Sequence, residues 1–338
     1  MKRILVTGGA GYIGSHTCVE LMNAGHEVFI YDNFSNSSPI AIERVEKITG
    51  KAIRFIQGDI LDQYLLENTI KASNCDTVIH FAGLKSVGES VKQPINYYEN
   101  NVVGTLTLLK AMTNCNINKL VFSSSATVYG NPKFLPLTED HPLSATNPYG
   151  NSKLIIEDIL RDIHISSPDW SITILRYFNP VGAHSSGLIG EDPRGIPNNL
   201  MPYVAQVAIG RLAELTVFGN DYDTADGTGV RDYIHVSDLA KGHLKAIEQI
   251  GMPQCSEINL GTGVGYSVID VINAFKRASN RDIPFRFAER RNGDIATCFA
   301  DPKLAKEILG WEAELGIKEM CNDHWAWQHK NPEGYGVV

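Results

Sequence analysis

The chain has 338 residues, 43% of them apolar and 20% charged, and a formal net charge of −8 at pH 7. That is the profile of a soluble globular protein with room for about two domains, not of a disordered chain. The absence of a basic run argues against nucleic acid or an anionic membrane as a partner, while a small anion held by a few placed arginines stays open. Cys18, Cys75, Cys115, Cys255, Cys298 and Cys321 form no CxxC pair and are expected as reduced core or pocket thiols. The histidines show no metal-binding spacing, so no metal is expected; His324 and His329, five apart, are expected at the surface. The apolar start Ile4-Leu5-Val6 is too short for a signal-peptide core, and no run approaches the ~20 apolar residues of a membrane span. The cytoplasm is the expected address.

In chain order, Ile4–Val6 reads as a short buried strand running into glycines. Ile13, Thr17, Cys18, Leu21 and Met22 then recur on one helix face, with Gly25 placed to end that helix. Further strands are predicted at 28–31, 53–56, 77–81, 120–123 and 172–176. Their apolar residues are consecutive, as expected of parallel strands covered on both faces and joined by right-handed helical crossovers. Beyond Phe178 the texture changes. Segment 179–202 is rich in Gly, Pro and Asn and reads as irregular. Strands near 215–218 and 258–260 follow, with helices after His235, Val268 and Lys303. The expected architecture is α/β: a doubly wound, mostly parallel Rossmann sheet over 1–178 and a smaller mixed α/β substrate domain over 179–338. Segment 230–262 could return to the first domain.

The first chemical signal is Gly8-Gly9-Ala10-Gly11-Tyr12-Ile13-Gly14, after a strand and opening a helix. Glycines there permit a tight turn and close approach of backbone to a pyrophosphate, which the helix N-terminus attracts. Asp32 ends the second strand, where a carboxylate accepts hydrogen bonds from adenosine ribose hydroxyls and repels a 2′-phosphate. No arginine adjoins it, so NAD is favoured over NADP. A solvated turn aspartate would be the reading without the glycine loop. Gly58-Asp59-Ile60 and Phe81-Ala82-Gly83-Leu84-Lys85 follow the third and fourth strands, where open α/β sheets bind ligands.

The second signal is Tyr149-Gly150-Asn151-Ser152-Lys153 after Pro148, a residue suited to a helix start. Leu154, Ile155, Ile156, Ile159 and Leu160 are expected to supply the buried face. Tyr149 and Lys153, four apart, share one side of such a helix. A phenol with pKa near ~10 is a poor base at neutral pH; a nearby ammonium and a cationic nicotinamide ring favour phenolate. A shift of about three units corresponds to roughly 4 kcal/mol. The third signal is Phe122 to Gly130, whose serines end the fifth strand and can hydrogen-bond a reacting sugar oxygen. Taken alone, YxxxK is common and each serine could be a plain strand-to-loop transition. The order of glycine loop, acidic clamp, strand-end serine and Tyr-Lys helix is what specifies hydride chemistry at an alcohol.

With these motifs the chain resembles the extended short-chain dehydrogenases/reductases, and among them the 4-epimerases of UDP-hexoses. VTGGAGYIGSHTC, YDNFSNS, HFAGLKSVGESV, SSSATVYG, NPYGNSK, LRYFNPVGAH, GIPNNLMPY, GNDY, DGTGVRDYIHV, NLGTGVGYSV and RRNGDIATCFADPKLA carry the likeness over nearly the whole length. The resemblance implies Tyr149 as base, Lys153 as its tuner and ribose ligand, and Ser125 as binder of the reacting hydroxyl. It implies an NAD site from Gly8, Gly11, Tyr12, Ile13, Gly14, Asp32, Asn33, Phe34, Ser35, Asn36, Ser37, Asp59, Ile60, Phe81, Ala82, Gly83, Lys85, Asn100, Ser123, Tyr149, Lys153 and Phe178. Lys85, Ser125, Tyr149, Asn179, Asn199, Leu200, Thr216, Val217, Phe218, Arg231, Arg291 to Asp294 and Cys298 would hold the UDP-hexose. Arginines suit the pyrophosphate.

The reaction implied is interconversion of UDP-galactose and UDP-glucose through a 4-keto sugar, with NAD kept bound. A small residue at Cys298, bordering the sugar pocket, goes with turnover of UDP-GlcNAc and UDP-GalNAc as well. The rival 4,6-dehydratase reading requires an Asp-Glu pair where this chain has Ala126-Thr127, and a UDP-glucuronate decarboxylase is disfavoured by the substrate motifs. A non-catalytic NAD-sensing protein would be expected to have lost Tyr149, Lys153 or Ser125. A homodimer through helices of the first domain is also implied.

Overall fold

The computed structural model describes residues 1–195, 197–291 and 293–336. Its strands are β1 (Arg3–Thr7), β2 (Glu27–Asp32), β3 (Arg54–Gln57), β4 (Thr77–His80), β5 (Lys119–Ser125), β6 (Ser171–Tyr177), β7 (Asn179–Val181), β8 (Leu215–Phe218), β9 (Val230–His235), β10 (Gln254–Leu260), β11 (Gly265–Ser267), β12 (Phe285–Ala288) and β13 (Thr297–Cys298). Seven of them form one sheet in the order β10-β6-β5-β4-β1-β2-β3, and every pair in it is parallel. The order reverses between β1 and β4, which opens a crevice at the C-terminal ends of the strands.

Alternate residues of the same strands feed two apolar cores. Ile4, Val6, Val28 and Ile30 face one core, with Cys18, Leu21 and Met22 of the helix Tyr12–Asn23. Leu5, Phe29 and Tyr31 face the other, with Leu108 and Met112 of the helix Gly104–Asn114. Strands covered on both sides therefore carry apolar residues at consecutive positions, because the side chains point alternately up and down. The helix Tyr12–Asn23 ends as its sequence suggests, with Gly25 at φ +83° donating to the Met22 carbonyl at 3.1 Å.

The second half divides between two places. β7, β9, β11 and β13 form a small mixed sheet, and β8 pairs with β12. The helix Val236–Gln249 packs on the helix Tyr12–Asn23, and β10 adds to the edge of the large sheet beside β6. Segment 179–202, read as irregular, contains β7 and the start of the helix Leu200–Ala208.

Two surface expectations fail. His324 is wholly buried against Phe275, because its side of the helix Ile317–Lys330 packs onto the helix Val268–Ser279; His329 is exposed as expected. Ile155 is 39% exposed. It stands about 200° around its helix from Lys153, and the inward side is built instead from Ser152, Lys153, Ile156, Glu157 and Leu160. All six cysteines are free thiols.

Candidate active site

The glycine loop turns tightly between β1 and the helix that starts at Tyr12. Gly8 has φ +70°, and a Cβ on it would lie 2.7 Å from the Ala82 nitrogen. A Cβ on Gly14 would run into the Gly8 carbonyl. Asp32 Oδ2 accepts the Ala10 N–H at 3.0 Å, while Oδ1 accepts the Phe34 N–H at 2.9 Å and the Ser37 hydroxyl at 2.8 Å. The carboxylate thus fixes both the glycine loop and the loop after β2, whose Phe34 sits at φ 57°. Ser35 and Asn36 are exposed on that loop, and Asn33 donates to Asp59 Oδ2 at 3.0 Å. Ile60 is buried beneath it and Ile13 partly so. A cradle lined by main chain, at a helix N-terminus and beside a held carboxylate, fits a dinucleotide.

The helix Pro148–Ser166, which carries Tyr149 and Lys153, is capped by Asn147, whose side chain accepts the Gly150 N–H at 2.9 Å. This puts Tyr149 in the first turn, at the C-terminal end of β5. Lys153 is buried and donates to the Ser123 carbonyl at 2.7 Å, with its Nζ 6.0 Å from the Tyr149 ring centroid. Burial lowers the Lys153 pKa to about 8, opposed by the charge of Glu157. Burial also raises the Tyr149 phenol above its usual value, and only the Ser125 hydroxyl opposes this. The Ser125 oxygen accepts from the Thr127 N–H at 3.2 Å and from the Thr127 hydroxyl at 3.0 Å.

Asn101, which sequence reading passed over for its neighbour Asn100, ties these parts together. It lies in a π-helical turn, Tyr98–Val103, a geometry often found at functional sites. Its side chain donates to Ser152 Oγ and to the Leu84 carbonyl, both at 3.0 Å, and accepts the Leu84 N–H at 2.8 Å. Asn100 donates to Asn101 Oδ1 at 3.0 Å. A Cβ on Gly83 would meet Asn101 at 3.2 Å and the Lys153 Nζ at 3.8 Å, so the loop after β4 passes close over the lysine. Phe81 stacks on His243 at 4.8 Å, and Phe178 is buried in the cluster that holds Cys298.

The second half supplies the far side of the cleft. Lys85 and Asn199 both donate to Glu191 Oε1, each at 3.0 Å. Glu191 is 5% exposed and carried no signal in the sequence. Arg194, equally unforeseen, donates to the Phe34 and Ser37 carbonyls at 3.0 and 3.1 Å, and Tyr12 donates to the Gly182 carbonyl at 2.7 Å. Arg231 lies on β9 in register with Cys298 on β13. Burial raises the pKa of Tyr233 to about 12, and both Arg231 and Arg291 oppose it, so the two guanidiniums approach one tyrosine. Arg291 pairs with Asp294 at 2.9 Å and stands 4.9 Å over the Phe218 ring. Asn292 lies outside the described residues. Thr216 is partly exposed, whereas Val217 is buried in the core of this region. Asn179 is exposed at the start of β7, two residues past β6, and Leu200 starts the helix Leu200–Ala208. Cys298 packs among Tyr129, Phe178 and Ala300, with its thiol pushed up to about 11 by burial.

Fold and site together define an extended short-chain dehydrogenase/reductase: a Rossmann sheet with the glycine loop, a strand-end serine and a Tyr-Lys helix. The family model described as GDP-mannose 4,6 dehydratase matches residues 5–324. UDP-glucose 4-epimerases from Bacillus subtilis and Homo sapiens are 60% and 56% identical, over 98% of both chains and 99% of both chains respectively. A UDP-glucose 4-epimerase from Bifidobacterium longum, solved in complex with NAD+ and UDP, superposes with a TM-score of 0.96 at 58% identity, covering 98% of this chain and 99% of that one. The chain belongs to the UDP-glucose 4-epimerase family, an isomerase family whose cofactor is NAD.

Proposed function

We propose that this enzyme interconverts UDP-galactose and UDP-glucose through a 4-keto sugar, with Tyr149 as the base at the C4 hydroxyl. The observation that carries the assignment is the meeting of Tyr149, Lys153 and Ser125 at the end of β5, beside the dinucleotide cradle. The glycine loop would hold the pyrophosphate, Asp32 and the loop 33–37 the adenosine ribose, and Asp59 and Ile60 the adenine. Phe81 to Lys85, Asn100, Ser123, Lys153 and Phe178 would hold the nicotinamide end. Bound there, NAD would supply the acceptor and donor of the C4 hydride. Tyr149 takes the hydroxyl proton and later gives it back, while Ser125 holds the sugar oxygen. Burial raises the phenol's pKa, so phenolate depends on positive charge beside it: the Lys153 ammonium and a cationic ring.

Arg231 and Arg291 would clamp the UDP diphosphate, with Asn179, Asn199, Leu200, Thr216, Val217, Phe218 and Asp294 around it. Strong grip on UDP with weak grip on the hexose lets the keto sugar turn over between its two faces. Cys298 is a small residue bordering Phe178 and Ala126, and its small side chain would leave room for an N-acetyl group and so for turnover of N-acetylated UDP-hexoses. Ala126 and Thr127 form the short 3₁₀ turn after β5 and offer no carboxyl group for elimination of water. This favours epimerase over dehydratase, and the intact Tyr-Lys-Ser set favours enzyme over sensor. The decisive assay incubates cofactor-loaded enzyme with UDP-galactose and no added NAD. UDP-glucose should form; its absence would sink the reading.

We further propose a homodimer. Val91, Ile95, Val103 and Ile155 are between 39% and 80% exposed on helices that pack together on one side of the large sheet. Sedimentation at micromolar concentration tests this, and a monomer there would refute it. Among the described residues no helix is long and apolar enough to cross a membrane. A cytoplasmic address is supported by the free thiols.

A further inference from the structure

We propose that Glu157 is a positioning residue that locks the catalytic helix to β5 and sets a fixed negative charge one turn behind Lys153. Tyr149, Lys153 and Glu157 are spaced four apart on one side of that helix, and three consecutive serines of β5 meet them. Ser125 acts on the Tyr149 phenol, the Ser123 carbonyl takes the Lys153 ammonium at 2.7 Å, and the Ser124 hydroxyl donates to Glu157 Oε1 at 2.5 Å. The third contact repeats the logic of the first two, yet no sugar or cofactor reaches it: Glu157 is wholly buried. It is held from behind by a fork from Arg176 on β6, with Nε to Oε1 at 3.1 Å and Nη2 to Oε2 at 2.7 Å. Arg176 is itself fixed by the Tyr129 hydroxyl and the Glu139 carbonyl, at 3.1 and 3.0 Å.

A buried carboxylate loses its hydration, so such a pair is seldom the cheapest way to fill a core. Its effect on the site is electrostatic. Facing Glu157 are Arg176, Arg161 at 3.4 Å on its own helix, and Cys255 from β10; Arg161 is shared with Asp158 and Glu257. Facing Lys153 are Tyr149 and His80, and His80 is neutral because burial lowers its pKa to about 3. Among the described residues facing Lys153, Glu157 is then the one ionised group that favours its charged form, beside the Ser123 carbonyl and the Phe122 ring. The inference rests on Tyr149 acting as the base that this ammonium assists.

The test is the pH profile of kcat for Glu157→Gln. Without the carboxylate, Lys153 loses its proton at lower pH and supports the phenolate less. The rising limb of kcat should move to higher pH by about one unit, equal to a tenfold loss at pH below the limb, with KM for UDP-galactose unmoved. Glu157→Asp, which keeps the charge but opens a gap, should keep the wild-type limb. A purely structural role predicts the reverse order: the near-isosteric Gln tolerated and the limb unmoved in both. Should Glu157→Gln fail to fold with Arg176 left unpaired, Glu157→Gln/Arg176→Gln leaves no lone buried charge, and its limb should still move to higher pH, by less than in the single variant because a positive charge is lost with the negative one. An unmoved limb overturns the proposal. Tyr149→Phe measured alongside separates the two claims. Retained turnover there overturns the base assignment, while a dead Tyr149→Phe with an unmoved limb in Glu157→Gln overturns only the role of Glu157.

Discussion

The Lys153 ammonium donates to the main-chain oxygen of Ser123 at 2.7 Å, and this bond ties the second turn of the catalytic helix to the end of β5. It fixes the lysine beneath the Tyr149 ring while leaving two of its N–H groups free for a ribose. Tyr149→Phe should therefore lower kcat by about 10²–10⁴-fold, the usual worth of a positioned acid–base group, without weakening UDP. Steady-state epimerisation together with calorimetric UDP titration checks both parts. Full activity in the variant would remove Tyr149 from the mechanism.

Cys298 stands in register with Arg231 and packs beside Phe178. A tyrosine at that place would project a ring into the hexose end. Cys298→Tyr is expected to suppress turnover of UDP-GalNAc while sparing UDP-galactose. Parallel assays with the two substrates decide it; equal losses would mean that the thiol is simply a core group.

Arg194 crosses from the second half of the chain to the loop after β2, proposed to hold the adenosine ribose, through the main-chain oxygens of Phe34 and Ser37. Each such bond is worth about 1 kcal/mol. Arg194→Ala should then speed release of bound NAD by roughly tenfold or more, since two bonds are lost. Fluorescence of retained cofactor after gel filtration measures it, and unchanged retention would exclude the strap.

His16, His80, His243 and His324 are buried, and burial lowers their pKa values to about 3, 3, 4 and 4. All lie below the unfolded value near ~6.5, so the unfolded chain binds more protons as pH falls through the window from there to about 4. Stability is expected to fall in that window by up to about 1.4 kcal/mol per pH unit for each histidine. Melting temperatures from pH 8 to 4 should be flat and then drop steeply below pH 6. His324→Phe should make the drop shallower; an unchanged slope would assign the acid lability to other groups.

Much of this enzyme is legible along the chain. Consecutive apolar residues at 4–6, 28–31 and 120–122 announce strands covered on both faces, because alternate side chains must satisfy two cores. The glycine loop, Asp32 and the Tyr149-Lys153 spacing are local patterns, and their chemistry follows from residue type and helical period. What the chain order hides is contact across distance. The return of β10 to the large sheet, the burial of His324 and the inward turn of Glu157 depend on which surfaces meet. A periodic pattern counts apolar residues, so it assigned Ile155 to the buried face where Lys153 and Glu157 stand. Glu191 and Arg194 sit in a stretch without periodicity, and only tertiary structure brings them to Lys85, Asn199 and the ribose loop. The sequence alone pointed to NAD as the cofactor and to Tyr149 and Lys153 as the proposed acid–base pair. The three-dimensional packing decided which buried charges surround that pair, because Coulomb interactions and desolvation depend on distance and burial and not on position in the chain.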